Sequence, residues 1–331
     1  MLEPPKIEDA AIMAALRTHF GLPITALTFL PIGADSASSV YRATAGAATY
    51  FVKLRSNEGF SVPSLAIPHF LHKQGIAHIL APLEATGGAL WVSIDDFALS
   101  VYPFLDARTG GDTGLSEQQW RELGVTSRQI HDCPLPPHLA QIVRSESFVP
   151  SRRNVMPDIE NAVAQQDRAD PDKCELALFW RAQQQRIRLV VERADALGDQ
   201  LRRRSLPNVL CHADLHTMNV LVDSAQQLWI VDWDETVLAP KERDLMFVIG
   251  GIGHGLVSPR QTDCFLLGYG ETTIDQEALS YYRYAWAVQD IAAYGEQALL
   301  TPDVGTATRH NAVRQFIRLF APGNIVDIAC G

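Results

Sequence analysis

The chain has 331 residues, more than one small core needs, and its 47% hydrophobic and 20% charged content is that of an ordinary globular protein. With 38 acidic against 28 basic residues the net charge is −10, which argues against a nucleic-acid partner and suits a cationic small molecule. Five cysteines, odd in number and without C-x-x-C spacing, predict neither a disulfide framework nor a zinc cage and fit a cytoplasmic protein.

The opening MLEPPKIEDAAIM carries acids ahead of any apolar run, so no secretion signal is expected. Residues 8–20 (EDAAIMAALRTHF) place apolar side chains at helical spacing and end at Gly21, a helix stop. Short β-like runs follow: ITALTFL, SSVYRAT and TYFVKL, then ALWVSI and ALSVYPFL, separated by the turn-rich PIGADS, TAGA and ATGG. Between them, SLAIPHFLHKQG predicts a helix interrupted at Pro68 and stopped by Gly75. Beyond about residue 103 the pattern changes. Residues 116–132, 172–204 and 277–299 read as helices, the first N-capped by Ser116 with Gln119 in the third helical position, the second ending in the basic LRRR. Inside this helical half sits a β island, VLCHADLHTMNVLVDSAQQLWIVDWDE (209–235), with the apolar runs VLC, NVLV and LWIVD. No run approaches the ~20 apolar residues of a membrane span, so no membrane partner is expected. The order of elements predicts an α+β, bilobal protein kinase-like fold: an N-terminal antiparallel sheet lobe with one helix (1–103) and a larger, mostly helical C-terminal lobe (104–331).

The island carries the chemistry. His212 and Asp214 are followed by Asn219, giving H-x-D-x-x-x-x-N, and Asp232 ends the strand LWIVD. Kinase phosphoryl transfer uses an Asp that accepts the acceptor's hydroxyl proton, an Asn five residues on, and a second Asp beyond a β turn. The latter two hold Mg2+ on the phosphates of ATP (or GTP). Magnesium wants hard oxygen ligands, and the apolar runs on either side of the loop supply rigidity. Asp214 is therefore the candidate catalytic base, and Asn219 and Asp232 are the candidate metal ligands. Only five of the 28 basic residues are lysines, and one of them, Lys53, lies on a predicted strand after the loop PIGADSASS, where a kinase places its phosphate-gripping lysine. That loop offers Gly33, Ser36 and Ser38 to the phosphates in place of a full glycine-rich pattern. The helix after Lys53 contains no acid; Glu58, just before it, is the one nearby candidate for an ion pair. An adenine pocket is expected at SVYPFLDA, with contacts from Tyr102 and Phe104, since Pro103 cannot donate. Asp234, Glu235 and Asp290, the last in a helix rich in Tyr and Trp, are candidates for a substrate's amines.

These motifs resemble the aminoglycoside phosphotransferase and choline kinase-like family, and IVDWDETVLAPKERDLMFVIGGIG (230–253) is similar to the spectinomycin phosphotransferase branch. Protein kinases usually carry Lys where this chain has His216, and the small-molecule kinases depart from that pattern too. The resemblance implies transfer of the ATP γ-phosphate to a hydroxyl of an aminocyclitol, spectinomycin first, with antibiotic resistance as the consequence. It also implies that Asp244 braces the catalytic loop, with His212 as structural support. Choline-like amino alcohols and amino sugars stand as alternative acceptors. Two other classes stay open: a metallohydrolase with zinc on His212, Asp214 and His216, and a non-catalytic kinase-like module, which would normally have lost Asp214, Asn219 or Asp232.

Overall fold

The computed structural model describes residues 4–32, 38–165, 170–252, 257–302 and 304–330. In chain order the first elements are α1 (Asp9–Phe20), β1 (Ala26–Leu30), β2 (Ser38–Ala45), β3 (Ala48–Ser56), α2 (Pro63–Lys73), β4 (Val92–Ile94) and β5 (Phe97–Pro103). Next come β6 (Ala107–Thr109), α3 (Gly110–Thr113), α4 (Glu117–Asp132), α5 (Pro137–Ala140), α6 (Met156–Gln165), α7 (Pro171–Leu201), β7 (Val209–Cys211), β8 (Val220–Asp223) and β9 (Leu228–Ile230). The chain continues through β10 (Val237–Ala239), α8 (Glu242–Leu245), α9 (Pro259–Tyr269), α10 (Gln276–Leu299), α11 (Thr306–Leu319) and α12 (Ile325–Cys330). These form two compact units: Met1–Gly114 with Leu135–Ile142 and Thr217–Thr236, and Leu115–Pro134 with Val143–His216 and Val237–Gly331. Among the described residues, no helix is long and apolar enough to cross a membrane.

The first unit is built on a five-stranded antiparallel sheet in the order β1-β2-β3-β5-β4. Strand alternation sorts β3: Val52 and Leu54 are fully buried in a core with Ile12 and Leu16 of α1, while Lys53 and Arg55 leave from the opposite face. A second sheet, β6-β8-β9, is antiparallel, and Ile230 at the end of β9 also bridges to Ile79. Helix α2 runs through Pro68 instead of breaking there. The proline forfeits one backbone bond, but Leu65, Ile67 and Leu71 bury the same helix, and that packing outweighs the loss.

The second unit is helical. Helix α4 begins as the sequence indicates: Ser116 caps it, its hydroxyl accepting from Gln119 N–H at 3.2 Å while the Gln119 side chain accepts from Ser116 N–H at 2.9 Å. Trp180 of α7 stacks on Phe316 of α11, centroids 5.5 Å apart. The β island is divided between the units: β7 pairs with β10, whereas β8 and β9 pair with β6. Three apolar residues in a row carry no mark of their partner, so this split is set by tertiary packing. Beyond the end of α7, Arg202, Arg203 and Arg204 are exposed, and Arg204 pairs with Asp275 and Glu277 at the surface.

Helices α4 and α9 touch backbone to backbone. A Cβ on Gly124 would lie 2.1 Å from the Phe265 carbonyl oxygen, and one on Gly268 2.0 Å from that of Arg121. Gly124→Ala and Gly268→Ala should each destabilise the protein by about 1–3 kcal/mol, despite alanine's better helix propensity, because the helices must separate. Thermal denaturation checks this; an unchanged or raised Tm in either variant would contradict the packing.

Candidate active site

In the first unit the site starts from Lys53. Its ammonium donates to Asp234 Oδ2 at 2.8 Å and Asp232 Oδ1 at 3.0 Å, and Arg55, two residues along the same strand face, also pairs with Asp234. Burial alone would lower the Lys53 pKa, but the charges of Asp232 and Asp234 more than offset it and hold the amine protonated. The acids beside Lys53 thus come from the segment after β9; the Glu58 side chain lies outside what the structure describes. Asp232 adopts φ 62, a left-handed backbone uncommon for a non-glycine residue. Asn219, candidate ligand of the same metal, ends a short 3₁₀ turn before β8, and its carbonyl accepts from Val231 N–H at 3.0 Å, tying its backbone to the residue before Asp232. An amide oxygen and a carboxylate on two loops tied in this way are a donor set that fits Mg2+.

Tyr102 faces Phe51 across the β5–β3 ladder, and its phenol is pushed up by burial and by the nearby Asp234 and Asp232, against the opposing pull of Lys53. Phe104 donates its N–H to the Thr49 carbonyl at 3.3 Å and holds Arg42 over its ring. Ser38 is buried at the start of β2. Gly33 and Ser36 lie outside the described residues. Glu235 is half-buried two residues beyond Trp233.

In the second unit the H-x-D loop hangs from Asp244. This carboxylate, 2% exposed, accepts from the backbone N–H of Ala213 at 2.6 Å and of His212 at 2.9 Å, and from His131 Nε2 at 3.0 Å. Burial would raise its pKa, yet His131 first, then His212 and the Ala213 N–H, hold it below the usual carboxylate range. His131 meets the Tyr269 hydroxyl through Nδ1 at 2.7 Å. Ala213 is left-handed, φ 67, and His212 is fully buried with Nδ1 accepting the Asp214 N–H at 3.2 Å. Asp214 itself is partly exposed, with His216 Nε2 3.1 Å from Oδ1. Asp290, on α10, is half-buried, and its carboxyl is pushed up to about 7 by burial and then by Asp214, against the opposing effects of His216 and Arg243.

His212, Asp214 and His216 do not converge as metal ligands; among the described residues the one such cluster is His131, Cys211 and Asp244. Its Asp244 oxygens already accept three N–H groups, and burial keeps the Cys211 thiol protonated. Sequence reasoning missed His131, which carries no local signal at the end of α4. It also missed Arg55, which the i, i+2 rule from Lys53 would have flagged.

An antiparallel sheet whose strand lysine is ion-paired to aspartates, and a helical unit whose H-x-D loop is held by a buried carboxylate, define a protein kinase-like phosphotransferase fold. The chain belongs to the phosphotransferase enzyme family, which residues 28–279 match. Its structure is similar to that of spectinomycin phosphotransferase APH(9)-Ia in complex with ADP and spectinomycin, with 33% identity, a TM-score of 0.87 and 99% of each chain covered. The AMP complex of that enzyme matches at 32% identity and a TM-score of 0.84, over 98% of this chain and 99% of the other. Choline kinase LicA from Streptococcus pneumoniae shares the fold, with a TM-score of 0.58 at 14% identity over 94% and 99% of the two chains. Protein StrN of Streptomyces griseus is 24% identical over 305 residues, 89% of this chain and 88% of that protein.

The Asp290 environment predicts a pH dependence. Its pKa rises from an ordinary 3.8 to about 7 on folding, so between those values the folded state keeps a proton that the unfolded chain has lost. Stability from this group is therefore present at low pH and lost as pH rises through that window. Asp290→Asn, neutral at every pH, should gain in Tm over the wild type progressively from about pH 4 to 7 and level off above. Parallel Tm profiles of the two proteins would contradict the assignment.

Proposed function

We propose that this protein transfers the γ-phosphate of ATP to a hydroxyl of an aminocyclitol, spectinomycin being the leading candidate. The observation that carries the proposal is the end-to-end likeness, at 33% identity, to an enzyme whose structure holds ADP and spectinomycin. In this reading residues 1–103 form the nucleotide lobe and 104–331 the catalytic and acceptor lobe, and the enzyme works in the cytoplasm, where ATP is at hand.

Each candidate then has a task. Lys53 grips the nucleotide's phosphates, its ammonium already held charged by Asp232 and Asp234. Gly33, Ser36 and Ser38 line the phosphate loop. Tyr102 and Phe104 border the base, and because the Phe104 N–H is committed to Thr49, Phe104 would meet the base through its carbonyl. Asn219 and Asp232 would hold Mg2+, which neutralises charge on the phosphates when bound. Asp214 takes the proton of the acceptor hydroxyl as the oxygen bonds to phosphorus and ADP leaves; His216 lies beside it, Nε2 3.1 Å from Oδ1. The sequence alone suggests Asp234 as an acceptor contact. With Lys53 and Arg55 both on its carboxylate, its better role is to hold those cations. Glu235 and Asp290 are then the carboxylates for the acceptor's amines, and Asp290 gives up its proton when an ammonium arrives.

Mass spectrometry of spectinomycin incubated with enzyme, ATP and Mg2+, with kanamycin and choline in parallel, tests this. A single phosphoryl adduct on spectinomycin is expected. An adduct on kanamycin or choline with none on spectinomycin would overturn the substrate and keep the phosphotransferase.

A further inference from the structure

The helical unit contains a cavity of about 120 Å3 that none of the roles above uses, bounded by residues 144–151 and one face of α10. One water needs about 15 Å3 at most by the same measure, so a small organic group fits. Arg243 lines it and is only 7% exposed. Its guanidinium lies over three rings, 5.1 Å from the centroid of Trp286, 5.8 Å from Tyr282 and 6.0 Å from Phe247. Its charge acts on Asp290 of α10, but among the described residues it forms no ion pair at contact distance. Aromatic faces repay part of the cost of burying a cation, but they leave its in-plane N–H donors without acceptors.

The same wall carries a buried donor without a partner. Tyr282 is 1% exposed, lines the cavity, and its hydroxyl has no hydrogen-bond partner. Native structures seldom leave a buried hydroxyl unpaired, least of all beside a cation. Ser145, Ser147 and Arg144 also line the space. Glu146 lines it as well, but its Oε1 is engaged by the Phe148 N–H at 2.6 Å within its own loop. Its charge disfavours a dianion, so a monoanion is the better fit.

We infer that this cavity binds the carboxylate of a small molecule, gripped by the planar fork of Arg243 with the Tyr282 hydroxyl donating to the same group. A guanidinium matches a carboxylate through two parallel N–H···O bonds, which neither water nor chloride reproduces. The site is distinct in chemistry from the carboxylates Glu235 and Asp290, which select cations, so it takes a different ligand.

The test reads binding, not turnover, and so stands apart from the substrate proposal. Sodium acetate is titrated into the full-length protein, followed by Tm and calorimetry, against sodium chloride at equal ionic strength. Acetate should raise Tm beyond chloride in the wild type and in Lys53→Met, which removes the phosphate-gripping cation. Binding should weaken by about tenfold or more in Arg243→Gln and in Tyr282→Phe, the latter guarding against a fold lost with the arginine. No excess of acetate over chloride, undiminished acetate affinity in Tyr282→Phe, or loss of the effect in Lys53→Met would each overturn the assignment.

Discussion

The candidate catalytic loop depends on one buried carboxylate. Asp244 collects the N–H groups of His212 and Ala213 and the ring of His131, all within 3.0 Å. Hydrogen bonds to a charged group contribute about 1.5–3 kcal/mol each. A non-glycine residue in the left-handed region costs about 1–3 kcal/mol. Two backbone bonds to Asp244 therefore offset the conformation of Ala213, φ 67, that carries the chain from the buried His212 to the partly exposed Asp214. Without the carboxylate, two buried N–H donors would be orphaned and the loop would relax toward ordinary backbone.

The sheet unit solves a different problem with the same means. Lys53 must present a full positive charge from a position 17% exposed, where burial works against the charged form. Asp232 and Asp234 reverse that tendency, and Arg55 shares the load on Asp234. Because Asp232 is 46% exposed while Asp234 is 20% exposed, the two pairs are unequal. The outer one is the more screened by solvent, and the inner one is the tighter anchor.

Much of this was legible in the sequence because it is written in spacing. The run from His212 through Asp214 to Asn219, and Asp232 at the end of an apolar strand, needs no contact map, and neither does Lys53 between Val52 and Leu54. The capping box at Ser116 and Gln119 likewise depends on neighbours in the chain. What escaped depends on groups brought together from far apart. His131 looks like any helix-terminal histidine until Asp244 arrives beside it. Val209–Cys211 gives no hint that its partner is Val237–Ala239. Asp290 could be read as an acid among aromatics, but its proton near neutral pH follows from burial and from Asp214 on a distant segment. Pro68 misled, because a local rule for breaking helices yielded to the burial of Leu65, Ile67 and Leu71.

The central claim is that Asp214, placed by Asp244, does the chemistry while other residues bind the nucleotide. Single-turnover phosphoryl transfer by Asp214→Asn, measured alongside ADP affinity, addresses it most directly. Wild-type ADP binding is expected, with transfer slowed by about 10²–10⁴. A variant that transfers phosphate at close to the wild-type rate would contradict it.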